Sequence, residues 1–293
     1  MAPSPSGAEE AAAPPTESAA MAPVVEAGDA PPTSEDAVPD AAVPVDEAAL
    51  DEPEPSYDLP TDDAAAIALA RGRIAAMVPE ELRRDFGLLL YVNKAVEGAI
   101  PQQMFIFRED GAGDFALDRR WLVSTGRERH EGYFTETPGG LYKLDPHRFF
   151  EVHYSQRWNG VKMPWAMFFD YGYRTERSGL AVHGANKTTV KQLGSRASGG
   201  CIRLAPAHAE ELFAWIQRDF AGKVPVFAFD DAQGHTDRTG RVARDEAGKV
   251  RYADGYRVLL IVDAETVTAP DATAAAEPAP GDLAQSAPAQ PTP

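Results

Sequence analysis

All 28 Lys and Arg residues lie between Arg71 and Arg257, and that confinement decides which part of this 293-residue chain can fold. Residues 1–63 carry sixteen Asp or Glu and residues 264–293 carry four, with no base in either segment. Twelve of the 25 prolines fall in residues 1–60 and six more after position 269. Mixtures of Ala, Pro and acids with few aromatic or β-branched residues cannot bury enough apolar surface to offset the entropy of ordering them. Segments 1–60 and 266–293 are therefore predicted to be disordered. A Pro-rich stretch is semi-extended and suits a spacer, and a solvating tail without a role of its own fits the composition equally well. The interior is nearly balanced, with 25 acids against its 28 bases, so the net charge of −17 belongs to the tails. That balance gives no sign of a nucleic-acid partner.

Inside those limits the pattern begins as helix and changes to strand. Thr61-Asp62-Asp63 reads as a helix start, with acids at the positive end of the dipole, and Ile67, Ala70, Ile74 and Met77 follow at helical spacing. Pro79 stops that helix and can open a short second one, so residues 61–85 are a helical lead-in. From residue 86 the apolar runs shorten. Leu88–Val92, Met104–Phe107, Trp121–Thr125, Phe149–Tyr154, Trp165–Tyr171 and Leu180–His183 read as strands, with turns at Glu109-Asp110-Gly111 and Pro138-Gly139-Gly140. Pro206 opens a helix with Ala209, Leu212, Phe213 and Ile216 on one face, and Val224–Phe229 returns as a strand. The working domain is placed at 86–230. The turn-rich Asp245–Lys249 before the apolar Val258–Val262 predicts a C-terminal β-hairpin extension over 231–265. The fold class is mainly β with a few helices. There is no run of 18 apolar residues to span a membrane. MAPSPSGAEE has neither the basic nor the apolar region of a signal peptide, which leaves cytoplasmic and exported readings both open.

Cys201 is the only cysteine, so it forms no intramolecular disulfide and builds no Cys-rich metal site. Alone it would read as a small buried hydrophobe. Its setting, Ser198-Gly199-Gly200-Cys201-Ile202-Arg203-Leu204, says otherwise. Two glycines lay bare backbone beside the sulfur, where an acyl group can approach and where amides of Gly200 and Cys201 can meet an oxyanion. Arg203 supplies positive charge that favours thiolate or holds a substrate carboxylate, or else forms an ordinary ion pair. A thiol nucleophile needs a base. Of six histidines, His183 stands out, closing the apolar run Leu180-Ala181-Val182 directly before Gly184. His130, His147, His153, His208 and His235 sit beside charged or loop-like residues.

The stretch HGANKTTVKQLGSRASGGCIRL resembles the signature of the L,D-transpeptidase (YkuD-like) family: His-Gly, a spacer, then Ser or Thr, one residue, Gly-Cys, one residue and a frequent Arg. Ser124-Thr125-Gly126, Thr137-Pro138-Gly139 and Met163-Pro164-Trp165-Ala166 are similar to weaker family landmarks in the same order. The chain departs from many members at Gly199, where they carry a second His.

The resemblance implies a curved β-sandwich with a helix near the cysteine, Cys201 as nucleophile and His183 as base. Ser198, Gly199 and Gly200 would form the motif loop. Arg203, Gly184 and Trp165 would be substrate-binding candidates, with Trp165 also readable as core. Expected partners are peptidoglycan stem peptides, as donor and acceptor, or a wall-attached protein as acceptor. That substrate implies a periplasmic or cell-wall location. No metal and no cofactor is implied. Besides the transpeptidase, two alternatives stay open: a peptidoglycan hydrolase of the same fold, and a catalytically idle wall-binding module.

Overall fold

The computed structural model describes residues 56–111, 113–127 and 135–266. The two segments expected to be disordered lie almost wholly outside these, as does His130. The described chain runs α1 (Ala64–Met77), α2 (Glu80–Arg83), β1 (Leu88–Asn93), β2 (Gln103–Glu109), β3 (Phe115–Leu122), β4 (Thr125–Gly126), β5 (Gly140–Ser155), β6 (Val161–Phe169) and β7 (Ala181–Gly184). A 3₁₀ turn at Val190–Gln192 precedes β8 (Arg196–Ser198), β9 (Ile202–Leu204), α3 (Pro206–Asp219) and β10 (Ala221–Pro225). The short β11 (Phe229–Asp230) and β12 (His235–Thr236) lead to β13 (Tyr252–Tyr256) and β14 (Val258–Asp263).

Eight strands form one sheet in the order β3-β2-β1-β14-β5-β6-β7-β9. The 16-residue β5 joins its two halves. β5 pairs with β14 through Gly140–Lys143 and with β6 mainly through Phe149–Ser155, with a register shift between Leu144 and Phe149. Such a shift bends a strand. Leu88, Leu90, Met104 and Leu260 from one half meet Met167, Val182, Ile202 and Leu204 from the other in a single core, which α3 completes with Leu212, Phe213 and Ile216. The opposite face of β1 and β14 packs Leu89, Tyr91, Leu259 and Ile261 against Ala70, Ile74 and Leu82 of the helical lead-in. Burial on both faces explains why these two strands read as unbroken apolar runs.

The helix starts behave as their residues require. The Asp63 carboxylate accepts from the Ala66 amide at 3.1 Å, and Pro206 occupies the first turn of α3, where a missing N–H costs nothing. Two strand expectations need correction. The strand placed at Trp121–Thr125 begins six residues earlier, at Phe115. Its Asp118-Arg119-Arg120 hides it from an apolar pattern, as suits a charged strand at a sheet edge. Within the C-terminal hairpin extension expected over 231–265, the Asp245–Lys249 turn does reverse the chain, with Arg244 bridging antiparallel to Val250, but Val258–Val262 is not its second arm. β13 pairs with β10, and β14 inserts between β1, to which it is parallel, and β5. Its five consecutive buried apolar residues, Val258–Val262, supply the interior of the sheet.

Candidate active site

β7 and β9 run parallel and adjacent, with Val182 opposite Ile202, His183 opposite Arg203 and Gly184 opposite Leu204. Val182, Ile202 and Leu204 point into the main core. Alternation along a strand then turns His183 and Arg203 to the other face. There Cys201, immediately before β9, packs against Ala166, Phe168 and Ala181. Cys201 and His183 are diagonal neighbours on one face of adjacent strands, a relation that side chains can span.

His183 is buried, and its Nδ1 lies 2.8 Å from the carbonyl oxygen of Gly184. A carbonyl only accepts, so Nδ1 carries the proton and Nε2 is left with its lone pair. Burial drives the His183 pKa down to about 4, against the upward pull of the Gly184 carbonyl, and Arg203 and His153 depress it further. The Cys201 thiol moves the other way: burial raises it, while a backbone contact to Ala181 and the charge of Arg203 partly oppose the rise. The thiol donates a long contact of 3.7 Å to the Gly179 carbonyl. Both shifts favour the neutral forms, imidazole at His183 and thiol at Cys201. Arg203 pulls the thiol toward ionisation, as its charge suggests, but burial outweighs it.

The glycine loop is held from several directions. Ser198 is fully buried; its Oγ donates to the Cys201 carbonyl at 2.5 Å and accepts from the Gly200 amide at 3.1 Å. Of the two amides expected to meet an oxyanion, that of Gly200 is thus engaged by the loop's own hydroxyl. Gly200 adopts φ of 116°, a region that side chains rarely enter. Thr137 Oγ1 donates to the Gly200 carbonyl and accepts from the Gly126 amide, each at 2.8 Å. Lys94 Nζ in turn donates to the Thr137 carbonyl at 2.9 Å. β4 pairs with β8 through Gly126 and Ser198, and Ser124 exchanges backbone hydrogen bonds with Arg203. The upstream landmarks around residues 124–126 and 137–139 therefore serve as scaffolding for the cysteine loop.

The remaining candidates separate. Arg203 Nη1 donates to Gln192 Oε1 at 2.9 Å, which holds its guanidinium toward the 3₁₀ turn. Gly184 provides the carbonyl that fixes the His183 tautomer. Trp165 is not brought to the cysteine: its ring packs on Phe213 of α3, centroids 5.4 Å apart, on the opposite face of β6 from Ala166 and Phe168. The core reading of Trp165 replaces the groove reading.

Gln192, the role of Thr137, and His153, whose ring meets Phe168 edge-on at 4.9 Å and whose protonated form would depress His183, were not singled out from the sequence. Only Thr137 left a signal, as part of a weak landmark. Nothing local distinguishes His153.

A family model described as the L,D-transpeptidase catalytic domain (YkuD) matches residues 93–240. Among solved structures, an L,D-transpeptidase from Mycobacterium smegmatis is similar at 16% identity over 61% of this chain and 59% of that one, with a TM-score of 0.35. L,D-transpeptidase 3 from Mycobacterium tuberculosis, solved with a faropenem-derived adduct, matches at 16% identity over 61% and 60%, TM-score 0.33. The catalytic domain of the E. faecium L,D-transpeptidase matches at 18% identity over 44% of this chain and 88% of that one, TM-score 0.30. The alignment spans about three fifths of the two mycobacterial proteins. A search of curated proteins found no match.

Proposed function

Because the chain belongs to the L,D-transpeptidase catalytic-domain family, we propose that Cys201 is its nucleophile and His183 its general base, acting on peptidoglycan stem peptides. One observation supports this above the others: the Nδ1–H of His183 is tied to the Gly184 carbonyl, which leaves Nε2 unprotonated on the face of the sheet that carries Cys201. A base with its proton parked on the far nitrogen is ready to accept one.

In the proposed reaction the sulfur attacks the carbonyl between the third residue of a stem tetrapeptide and its terminal D-Ala. The thiol proton passes to Nε2 as the C–S bond forms, because the resting pair is neutral and neither ion is favoured before a substrate arrives. The Cys201 amide then meets the oxyanion, since the Gly200 amide is held by Ser198. Collapse breaks the C–N bond, the imidazolium gives its proton to the departing D-Ala amine, and a thioester remains. The side-chain amine of a second stem, or an amine on a wall-attached protein, resolves it. Such a substrate places the protein outside the cytoplasmic membrane, with the acidic Pro-rich segment 1–60 as its spacer.

The test is incubation of the purified protein with tetrapeptide muropeptides, followed by separation and mass analysis. Cross-linked dimers with released D-Ala are expected. Shortened monomers alone would move the protein to the hydrolases, and unchanged muropeptides would leave only the binding-module alternative.

A further inference from the structure

We propose that Trp158, at the tip of the β5–β6 hairpin, is a positioning residue that holds the Gly199-Gly200 backbone for acyl transfer at Cys201. The inference rests on the proposed role of Cys201 as nucleophile. A Cβ placed on Gly199 would stand 2.5 Å from Cζ2, 2.7 Å from Cε2 and 2.9 Å from Nε1 of the Trp158 indole. Real Cβ contacts essentially never fall below 3.0 Å, so the indole occupies the space a side chain at 199 would need.

The hairpin tip is built to deliver that ring. Gln156, Arg157, Asn159 and Gly160 are exposed, and Trp158 between them is half-buried. The Gly160 amide donates to the Ser155 carbonyl and the Val161 amide to the Trp158 carbonyl, each at 2.9 Å, while Asn159 and Gly160 take φ of 49° and 78°. Four polar or small residues thus turn outward and one large apolar residue turns in.

The loop needs such a restraint because two consecutive glycines have more backbone freedom than any other pair. Gly200 is held by Thr137 and Ser198, and Leu180 Cδ2 would stand 3.0 Å from a Cβ there. Gly199 is met by the indole. The Cys201 amide, which the proposed reaction needs as an oxyanion donor, follows directly on this pair. Its direction is set by how rigidly the two glycines are held.

Two reactions of the same thiol separate positioning from access. Imipenem acylates: sulfur bonds to the β-lactam carbonyl carbon, the ring C–N bond breaks, and the thiol proton ends on the ring nitrogen, by way of an oxyanion. Iodoacetamide alkylates: sulfur bonds to a saturated carbon, iodide leaves, and no oxyanion forms. Both are read on Cys201 by intact mass in the full chain. Trp158→Ala is expected to slow acylation by about tenfold to a hundredfold, the range that a misplaced group near the reacting atoms produces, and to change alkylation by less than about threefold. Gly199→Ala is expected to do the same, and the double variant to be no slower than the slower single, because one contact is lost in all three. Trp158→Phe, which keeps a ring over Gly199, is expected to stay within about threefold of wild type in both reactions. Should Trp158→Ala lose its cooperative melting transition, Gly199→Ala and Trp158→Phe decide the question.

Equal slowing of both reactions, faster reaction in both, or additive losses would overturn the positioning role while leaving Cys201 as nucleophile. A wild type that iodoacetamide alkylates and imipenem leaves unacylated would overturn the nucleophile reading first, and this inference with it.

Discussion

Acidification is expected to destabilise this protein through one buried imidazole. His183 has its pKa driven to about 4, from an ordinary value of 6.5. In the unfolded chain it protonates near its ordinary value, so between those two limits the unfolded state binds the extra proton. Stability therefore falls as the pH falls through that window and is fully retained above it. Each pH unit between the two values is worth about 1.36 kcal/mol, so the loss is about 2 kcal/mol by about pH 5 and approaches about 3 kcal/mol as the pH drops through about 4. Carboxylates such as Asp263, which burial pushes up but Arg73, the Ala264 amide and Tyr91 together bring below the ordinary value, add their own losses in the acid range. The His183→Gln variant isolates the imidazole, because an amide can still donate to the Gly184 carbonyl but does not titrate. Urea unfolding of both proteins at about pH 7 and about pH 5 gives the comparison. The stability difference between them is expected to shift by about 2 kcal/mol in favour of the variant at the lower pH. Parallel pH dependence in the two proteins would refute a buried neutral imidazole, and with it the assignment of Nε2 as the waiting base.

Other outcomes follow from the same contacts. Trimming residues 1–55 and 267–293 is expected to leave the melting temperature and in vitro activity nearly unchanged, and loss of the cooperative transition would show that those residues belong to the folded unit. Trp165→Ala is expected to cost roughly 2 kcal/mol in denaturant unfolding, below the value for a fully buried aromatic, and to leave substrate KM unaltered, since the ring packs on Phe213. Arg203→Gln is expected to raise the pH midpoint of Cys201 alkylation, because the guanidinium pulls the thiol pKa down. Gln192→Ala is expected to shift it the same way by less, and a midpoint unmoved by Arg203→Gln would remove Arg203 from the site's electrostatics.

What the sequence disclosed depended on how local the cause was. β1, β14 and α3 announce themselves because their own apolar spacing records burial on two faces or one. β3 is half hidden, since Asp118, Arg119 and Arg120 break its apolar pattern, and the burial of Arg120 against Phe105 is a tertiary contact that the strand's own residues do not record. β14 reads as a strand but not in its true place: a central parallel pairing with β1 leaves no turn signal between the partners. At the candidate site, motif and context single out Cys201 and His183, and the fold sets both side chains on one face of adjacent strands. Their proton states have no local signal, because burial sets them and burial is a property of the fold. Trp158 on Gly199, Gln192 on Arg203 and Thr137 on Gly200 join residues far apart in the chain, and no spacing rule connects them. Trp165 shows the reverse case, where a local landmark points to the groove and the ring instead packs on Phe213 of α3, a contact no spacing rule reveals.

Trapping the intermediate tests whether Cys201 carries the acyl group with His183 as its base. Wild type, Cys201→Ala and His183→Ala are each mixed with a stem tetrapeptide donor without an amine acceptor, quenched in acid and weighed intact. A gain equal to the donor less D-Ala is expected on the wild type, mapped to Cys201, with no gain on Cys201→Ala. Acylation of His183→Ala is expected to be slow and to quicken as the pH rises and thiolate forms without a base. Turnover by Cys201→Ala at near wild-type rate, or equal acylation rates with and without His183, would refute these roles.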